Sequence, residues 1–196
     1  MNTGEYIYGR TFRFFSLTKS VTRTLRLDDD VDAALERMAE ESGESVNAIA
    51  GKALRKLVEW DRLAEKAGLV VVSPITLGRL MDSQTLEQAK ELGEAVSVDV
   101  WKAVIMSNFG EVTLTSVLNS IELISRYMGR FEFHYATEGS KRVITVRHAG
   151  GLKWSAFYSG AANHLFKEAL GVECKTTMTE ELASLEFEIP QKAGNT

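Results

Sequence analysis

Residues 22 to 58 read TRTLRLDDDVDAALERMAEESGESVNAIAGKALRKLV, and this stretch decides how the chain is organised. Its beginning, TRTLRL, alternates with a period of two, which is typical of a β-strand with two different faces. One face would carry Thr22, Thr24 and Arg26. The other face would carry Leu25 and Leu27. The alternation therefore predicts a short strand with a polar face and an apolar face.

Two amphipathic helices are predicted behind this strand. The aspartates at positions 28 to 30 would end the strand and favour the start of a helix, because carboxylates stabilise a helix N-terminus. Apolar residues then recur at helical spacing as far as Gly43, which suits a left-handed C-cap. Ser45 can cap the second helix, whose apolar rhythm continues beyond Val58 to Gly68.

A strand and two helices of this size cannot bury a core of their own, so the pattern predicts a second copy of the chain. The apolar positions of the strand and of both helices would then form a shared dimer core. Its predicted members are Leu25, Leu27, Leu35, Met38, Ile49 and Leu54.

This order of strand, acidic cap, helix, glycine turn, serine cap and helix resembles the ribbon-helix-helix superfamily of Arc/CopG-type transcription regulators. The matching segments are TRTLRL, VDAALERMAEESG and ESVNAIAGKALRKLV, all within the first third of the chain. The resemblance implies a β-α-α unit in which two chains pair their strands into an antiparallel ribbon that enters the major groove of double-stranded DNA. It implies base contacts by Thr22, Thr24 and Arg26. It also implies phosphate contacts at a helix N-terminus by Ser45, Val46 and Asn47.

An edge strand whose polar face merely meets water is the alternative interpretation of TRTLRL. The two correctly spaced helices behind it favour DNA binding, because a two-stranded ribbon fits the major groove and a helix N-terminus binds anions. Arg23 departs from the family pattern, since it lies where an apolar ribbon residue would help the dimer core. Leu25 and Leu27 would then have to suffice, or Val21 would contribute through a local twist.

The composition of the 196 residues limits what the chain can be. A hydrophobic content of 44% supports a real core and one or two domains. No apolar run approaches the length of a membrane span, and the N-terminus lacks a signal-peptide pattern. The single cysteine, Cys174, excludes an intrachain disulfide framework. We therefore expect a cytoplasmic protein with no membrane partner.

Charge is distributed unevenly along the chain, although the formal net charge is -4. Residues 1 to 27 contain a single acid, Glu5, and basic residues at Arg10, Arg13, Lys19, Arg23 and Arg26. A basic edge on an acidic body would orient the protein on DNA. Residues 1 to 20 are also rich in aromatics, which predicts an N-terminal arm that packs on the body or lies along DNA, with a disordered tail as the other alternative.

Residues 21 to 67 are thus the predicted ribbon-helix-helix domain, and residues 68 to 190 are predicted to form an α+β domain before a tail at 191 to 196. LVVVS at residues 69 to 73 reads as a short buried strand. Three helical stretches follow, at residues 77 to 96, 99 to 109 and 115 to 128. FEFHYAT and RVITVRH then alternate around EGSK, which predicts a hairpin. The last elements are a helix over residues 154 to 170 and strands over residues 172 to 177 and 185 to 189. This order favours helices packed on a small, mainly antiparallel sheet.

The segments RVITVRHAGGLKWSAFYSGAANHLFKEALGVE and LEFEI resemble the small ligand-sensing α+β domains of the vinyl-reductase type found in some prokaryotic regulators. The resemblance implies that this domain binds an effector. The chain lacks the cysteines expected of a metal-bearing version, and no site residue is carried over.

Chemistry in the second domain has several candidates. His134 and His148 lie on the two hairpin strands and could meet as a metal-binding or pH-sensing pair, although two separate imidazoles are more common. Cys174 beside Lys175 could be a low-pKa thiol, or simply a buried cysteine. The aromatic residues that could line a pocket, or form core, are Trp101, Trp154, Phe157, Tyr158 and Phe166. No catalytic residue, cofactor or metal is predicted.

The sequence therefore predicts a non-enzymatic, dimeric, sequence-specific DNA-binding transcription regulator whose second domain binds an effector or drives oligomerisation. One alternative is an antitoxin-like DNA-binding protein that neutralises a toxin. It ranks lower because the region after Gly68 has the pattern of a folded domain. The other alternative is a protein-interaction module whose ribbon dimerises without reading bases.

Overall fold

The computed structural model describes residues 20 to 188, which form helices and a four-stranded antiparallel sheet, so the expected α+β class is confirmed. The chain divides after Gly68 into two compact units. The N-terminal unit comprises the described residues up to Gly68, and the C-terminal unit comprises residues 69 to 188. The predicted tail lies outside the described residues, as does the predicted arm apart from Ser20.

The N-terminal unit is helical. α1 spans Asp29–Ser42 and ends at Gly43, whose φ of 67° is the left-handed conformation that glycine adopts without strain. α2 spans Val46–Lys56 and begins after Ser45, whose hydroxyl accepts a hydrogen bond from the backbone N–H of Ala48 at 3.2 Å. Both caps agree with those predicted from the sequence.

The helix that starts as α2 does not end at Lys56. It passes through a π-helical turn, Leu57–Asp61, into α3, Arg62–Lys66, so its predicted continuation toward Gly68 is confirmed. Such turns are rare and occur mostly as single turns inside α-helices.

Residues 22 to 27 form no strand with any described residue of the single chain, and the first strand among the described residues begins only at Glu132. The predicted ribbon-helix-helix is therefore not confirmed. A ribbon of the predicted kind would have its hydrogen-bond partners in a second chain, and a strand without a partner cannot complete a ladder.

Two helices stand where the sequence pattern predicts a single stretch from residue 77 to 96. α4 spans Pro74–Asp82 and α5 spans Leu86–Val96. They are separate because Thr85 and Gln88 form a capping box, which starts a new helix. The Thr85 hydroxyl accepts from the Gln88 N–H at 3.2 Å, and the Gln88 side-chain oxygen accepts from the Thr85 N–H at 2.8 Å.

The predicted buried strand at residues 69 to 73 is wrong. These residues form no strand, and Val70 and Val71 are exposed, the latter fully. A short apolar run does not by itself distinguish a buried strand from another apolar segment.

The remaining helices lie within the predicted stretches, but the predicted break between residues 96 and 99 is absent. α5 continues through a second π-helical turn, Ser97–Lys102, into α6, Ala103–Phe109. α7 spans Leu114–Met128 and ends at Gly129, which again has a left-handed φ of 60°. α8 spans Leu152–Leu170.

The sheet is built on the predicted hairpin of β1, Glu132–Glu138, and β2, Lys141–Arg147. Two later strands complete it, β3, Lys175–Met178, and β4, Leu182–Glu188. The strand order is β1-β2-β4-β3, and every neighbouring pair is antiparallel. The mainly antiparallel sheet is therefore confirmed, although β3 begins later and β4 begins earlier than the sequence pattern predicts.

The core of the C-terminal unit lies between the sheet and its helices. Alternate residues of β4 are buried, namely Ala183, Leu185 and Phe187, as the period of a half-buried strand requires. The helices contribute further core side chains from Ile105, Val117, Leu118, Leu165 and Phe166.

α5 and α8 cross with their backbones in close contact. A Cβ atom added to Gly93 would lie 2.1 Å from the carbonyl oxygen of Phe157. One added to Gly160 would lie 2.4 Å from the carbonyl oxygen of Lys90. Both distances are far below van der Waals contact, so the crossing requires glycine at both positions.

Candidate nucleic-acid interface and buried polar network

The predicted base-contacting residues lie in the segment before α1. Thr22, Thr24 and Arg26 are all exposed. Leu25 and Leu27, which alternate with them, are 62% and 44% exposed. Both faces of the segment are therefore uncovered on the single chain, and base contact by these residues stays a prediction.

The predicted phosphate-contacting residues lie at the start of α2. The Ser45 hydroxyl is engaged by Ala48, whereas the backbone N–H groups of Val46 and Asn47 begin the helix and have no intrahelical acceptor. Such groups, together with the positive end of the helix dipole, bind anions. The start of α2 therefore has the free N–H donors that a phosphate requires. Phosphate contact by these residues stays a prediction.

Glu44 is the acidic side chain nearest in sequence to this helix start. Its carboxylate forms an ion pair with the ammonium of Lys52, which lies further along α2. The pairing offsets the repulsion that a free carboxylate would exert on a phosphate at Val46 and Asn47.

The apolar side chains of α1 and α2 are incompletely covered on the described chain. Neither helix contains a buried residue. Met38 and Leu54 are 51% and 50% exposed, and Leu35 and Ile49 are only partly buried. We call the six predicted dimer-core residues the open apolar surface: Leu25, Leu27, Leu35, Met38, Ile49 and Leu54.

His148 does not meet His134 across the hairpin, so the structure has two separate imidazoles, the commoner of the two alternatives. His134 lies opposite Thr145 in the strand register, whereas His148 follows the last residue of β2. The imidazole of His134 instead lies 4.0 Å from the carboxylate of Glu132.

His148 belongs to a buried hydrogen-bond network at the start of α8. Its Nε2 lies 2.9 Å from the Oγ of Ser155, and its Nδ1 accepts from the backbone N–H of Gly150 at 3.1 Å. The Ser155 hydroxyl donates to the carbonyl of Thr179 at 2.5 Å. Both side chains are buried, so the network joins β2, α8 and the residues before β4 inside the C-terminal unit.

This network fixes the protonation of the imidazole. Because Nδ1 accepts from Gly150, the neutral ring carries its proton on Nε2 and donates it to Ser155. Ser155 in turn gives its only proton to Thr179. A serine nucleophile needs the reverse arrangement, in which a free ring nitrogen accepts the hydroxyl proton. The contact between His148 and Ser155 therefore holds the fold and is not arranged to activate a nucleophile.

Acidification is expected to destabilise the C-terminal unit through His148. Burial lowers the pKa of His148 below its ordinary value of 6.5, with the carboxylate of Glu181 acting in the opposite direction. The unfolded chain then takes up this proton at a higher pH than the folded chain does. The contribution of neutral His148 is fully present above pH 6.5 and is lost as the pH falls below that value.

The measurement is urea unfolding of the wild type and of His148→Gln from about pH 8 to pH 5, where histidine titrates. The free energy of unfolding should fall more steeply with acid in the wild type, because glutamine does not titrate. Parallel curves for the two proteins would contradict the assigned role of His148.

The surroundings of Cys174 favour the second alternative, a partly buried cysteine, over a low-pKa thiol. Burial, together with the carboxylate of Glu173, raises the pKa of the Cys174 thiol to about 11. The neighbouring Lys175 does not overcome these two effects, and the thiolate form is disfavoured at neutral pH.

The aromatic side chains of α8 pack with one another. The ring centroids of Trp154 and Phe157 are 5.6 Å apart, and that of Tyr158 lies 5.5 Å from Phe157. Phe166 packs on Phe187 at 4.8 Å within the main core. Phe166 thus belongs to the main core, whereas Trp154 belongs to a separate buried cluster against which Phe157 and Tyr158 pack.

Arg130 is a polar residue to which the sequence pattern assigns no role. It follows Gly129, the left-handed end of α7, and the turn is held by the Ser125 hydroxyl, which donates to the carbonyl of Phe131 at 2.8 Å. The turn places the guanidinium carbon 5.7 Å from the ring centroid of Trp154. The Nε of Arg130 is buried and has no hydrogen-bond partner among the described residues. Nothing in the sequence marks the residue, because an arginine after a helix is usually a surface residue.

Residues 20 to 188 contain no cluster of three or more His, Cys, Asp or Glu side chains that could hold a metal ion. Within the same residues, no helix combines the length and the apolar character that crossing a membrane requires. No protein-family model matches the chain, and no curated protein matches its sequence. The residues and their geometry are therefore the basis on which the function is inferred.

Proposed function

We propose that the protein is a dimeric, sequence-specific DNA-binding transcription regulator whose C-terminal unit binds an effector or extends the assembly. The observation that carries the proposal is the open apolar surface of the N-terminal unit. α1 has 14 residues and buries none of them, and α2 buries none either, although the helix that continues α2 buries Trp60 and Leu63. An isolated helix of the length of α1 is marginal in water, so its stability has to come from packing against something else.

A second copy of the chain covers this surface in the proposed dimer. Residues 22 to 27 of the two chains pair as antiparallel strands, and their period of two turns Leu25 and Leu27 toward the helices. Complete burial of an exposed leucine or methionine side chain stabilises by about 1.5–3 kcal/mol. The half-exposed side chains of the open apolar surface therefore provide a sizeable part of the association free energy.

The same pairing leaves Thr22, Thr24 and Arg26 on the outer face of the ribbon. A two-stranded ribbon fits the major groove, where arginine binds the O6 and N7 atoms of guanine and threonine reaches a base edge or a thymine methyl group. The free N–H groups of Val46 and Asn47 would hold a backbone phosphate and fix the ribbon in its groove.

The charge pattern of the N-terminal unit supports this orientation. Arg23 and Arg26 precede the acidic cap at residues 28 to 30, so positive charge lies at the ribbon and negative charge lies behind it. DNA phosphates attract the positive charge and repel the negative charge, so the protein would approach DNA with its ribbon face.

Arg26→Ala tests base reading directly. The variant is expected to lose about 1–3 kcal/mol of discrimination between the preferred site and a scrambled site, because a bidentate contact to guanine is removed. The preferred site is first selected from random DNA with the wild-type protein, and gel-shift titrations then compare both sites at one fixed salt concentration. The dimer should be unaffected.

Arg23→Ala is the matched control, since Arg23 has the same charge but lies on the other face of the predicted strand. It should weaken binding to both sites alike, as expected for loss of a general electrostatic attraction. Unchanged discrimination in Arg26→Ala would contradict base reading. Weak binding with no sequence preference in the wild type would favour the protein-interaction module instead.

A further inference from the structure

Arg130 in the C-terminal unit presents a buried hydrogen-bond donor without an acceptor. Its Nε is one of a few buried side-chain atoms in the described residues that have no partner. The others are neutral oxygens, on Asn119, Ser159 and Asn163. Arg130 as a whole is only partly buried, but its Nε is a donor on a charged group, and leaving such a donor unpaired costs more than leaving a neutral oxygen unpaired. Among these four residues, Arg130 is therefore the one for which a hydrogen-bond acceptor would be most stabilising.

The surroundings of Arg130 supply an aromatic ring where an arginine usually finds a carboxylate. Its guanidinium carbon lies 5.7 Å from the ring centroid of Trp154. Contact with the ring attracts the charge but accepts none of the N–H groups along the edge of the guanidinium. Those donors lie in one plane and match the two oxygens of a carboxylate.

Tyr158 is a second polar residue in this cluster. Its ring lies 5.7 Å from Trp154, 5.1 Å from Phe131 and 5.1 Å from His148. Burial raises the pKa of Tyr158 to about 12, while the charge of Arg130 acts in the opposite direction. The phenol therefore stays protonated at neutral pH, close enough to Arg130 to feel its charge, and can donate to the same anion.

The charge available at this place favours a singly charged ligand. Lys153, which neighbours Trp154 in sequence, is held by the carbonyl oxygen of Asp82 at 2.7 Å. Arg130 is left to neutralise the ligand, and one guanidinium balances one carboxylate. A doubly charged phosphate would place excess negative charge against the aromatic rings of Trp154 and Tyr158.

We propose that Arg130, Tyr158 and the ring of Trp154 bind a small organic carboxylate with an apolar body. The carboxylate oxygens accept from the edge of the Arg130 guanidinium and from the Tyr158 hydroxyl. The apolar body lies against the aromatic rings. The role of this ligand as an effector rests on the proposed function, whereas its binding does not.

The test uses the full-length protein without DNA, so that failure of this site and failure of DNA reading are distinguished. Benzoate, phenylacetate and hexanoate are the probes, with benzamide as a neutral analogue and inorganic phosphate as the alternative anion. Isothermal titration calorimetry measures affinity, and the unfolding temperature reports stabilisation by binding. At least one carboxylate should bind more tightly than benzamide and phosphate do.

Arg130→Gln should weaken that carboxylate by about tenfold to a hundredfold, because a charge-assisted bidentate contact is lost. Arg79→Gln, at an exposed position on α4, is the matched control and should bind as the wild type does. Binding of no carboxylate, equal binding of benzamide, tighter binding of phosphate, or unchanged binding by Arg130→Gln would each overturn the proposal.

An NMR measurement on the wild type covers the case in which Arg130→Gln fails to fold. The chain has three tryptophans, so the indole N–H region contains three signals, and Trp154→Phe identifies that of Trp154. Titration with the carboxylate should shift the Trp154 signal and leave those of Trp60 and Trp101 in place. Shifts confined to Trp60 or Trp101, or no shift, would overturn the proposed site.

Discussion

Leu25→Asp is expected to abolish both the dimer and the helical structure of the N-terminal unit. In the proposed ribbon, residue 25 faces the helices of both chains, so aspartate would bury a carboxylate that has no partner. Together with the lost leucine contacts, this should cost about 4 kcal/mol or more per chain. Light scattering should report a monomer, and far-UV circular dichroism should report fewer helical residues than the wild type has.

Thr24→Asp is the control for this change, because it introduces the same charge one residue away on the opposite strand face. It should leave the dimer and its helices intact, while repulsion by phosphate removes DNA binding. A stably folded Leu25→Asp monomer would show that the N-terminal unit needs no second copy, and the open apolar surface would then require another explanation.

Gly160→Ala is expected to lower the free energy of unfolding of the C-terminal unit by about 3 kcal/mol, at the upper end of the usual cost of overpacking. The new methyl carbon would lie 2.4 Å from the carbonyl oxygen of Lys90. That oxygen belongs to the backbone of α5 and cannot rotate away as a side chain does. The two helices would have to separate, and urea unfolding measured by circular dichroism would record the loss.

Gly78→Ala provides the comparison, since a Cβ atom at this position on α4 meets no atom within 4 Å. Alanine forms helices better than glycine by about 1 kcal/mol, so this variant should be as stable as the wild type or more so. If both variants shift stability equally, the close crossing of α5 and α8 does not contribute as described.

Elements with a strong local signal could be predicted from the sequence. The hairpin of β1 and β2 follows from two alternating runs around a turn, and α1 ends at Gly43 because glycine alone adopts a left-handed φ at little cost. The capping box of Thr85 and Gln88 is a finding of the structure, which has two helices where the sequence pattern predicts one. The helical spacing of the leucines around it concealed the break between α4 and α5.

Other features depend on tertiary context that a single sequence does not encode locally. The run at residues 69 to 73 is as apolar as a buried strand, and its exposure follows only from where the neighbouring elements lie. The alternation of the sequence predicts that His148 is a strand residue. β2 instead ends at Arg147, and the imidazole of His148 lies against the hydroxyl of Ser155. The unpaired Nε of Arg130 depends on how the turn after α7 packs near Trp154 of α8, which no local pattern indicates.

The π-helical turn at Leu57–Asp61 changes the angular phase of the helix that starts at Val46. Neighbouring residues of an α-helix are about 100° apart, so accommodating one additional residue in a turn rotates all later side chains by up to that angle. In an uninterrupted helix, Trp60 would lie on the same side as Ala53 and Leu57. In the structure Trp60 is 8% exposed whereas Leu57 is 47% exposed, so the two side chains do not share one environment. Deleting one residue from the turn would place Trp60 on the side of the helix that carries Ala53 and Leu57, which faces the second copy in the proposed dimer. The length of this turn would therefore decide which side chains lie in the proposed interface.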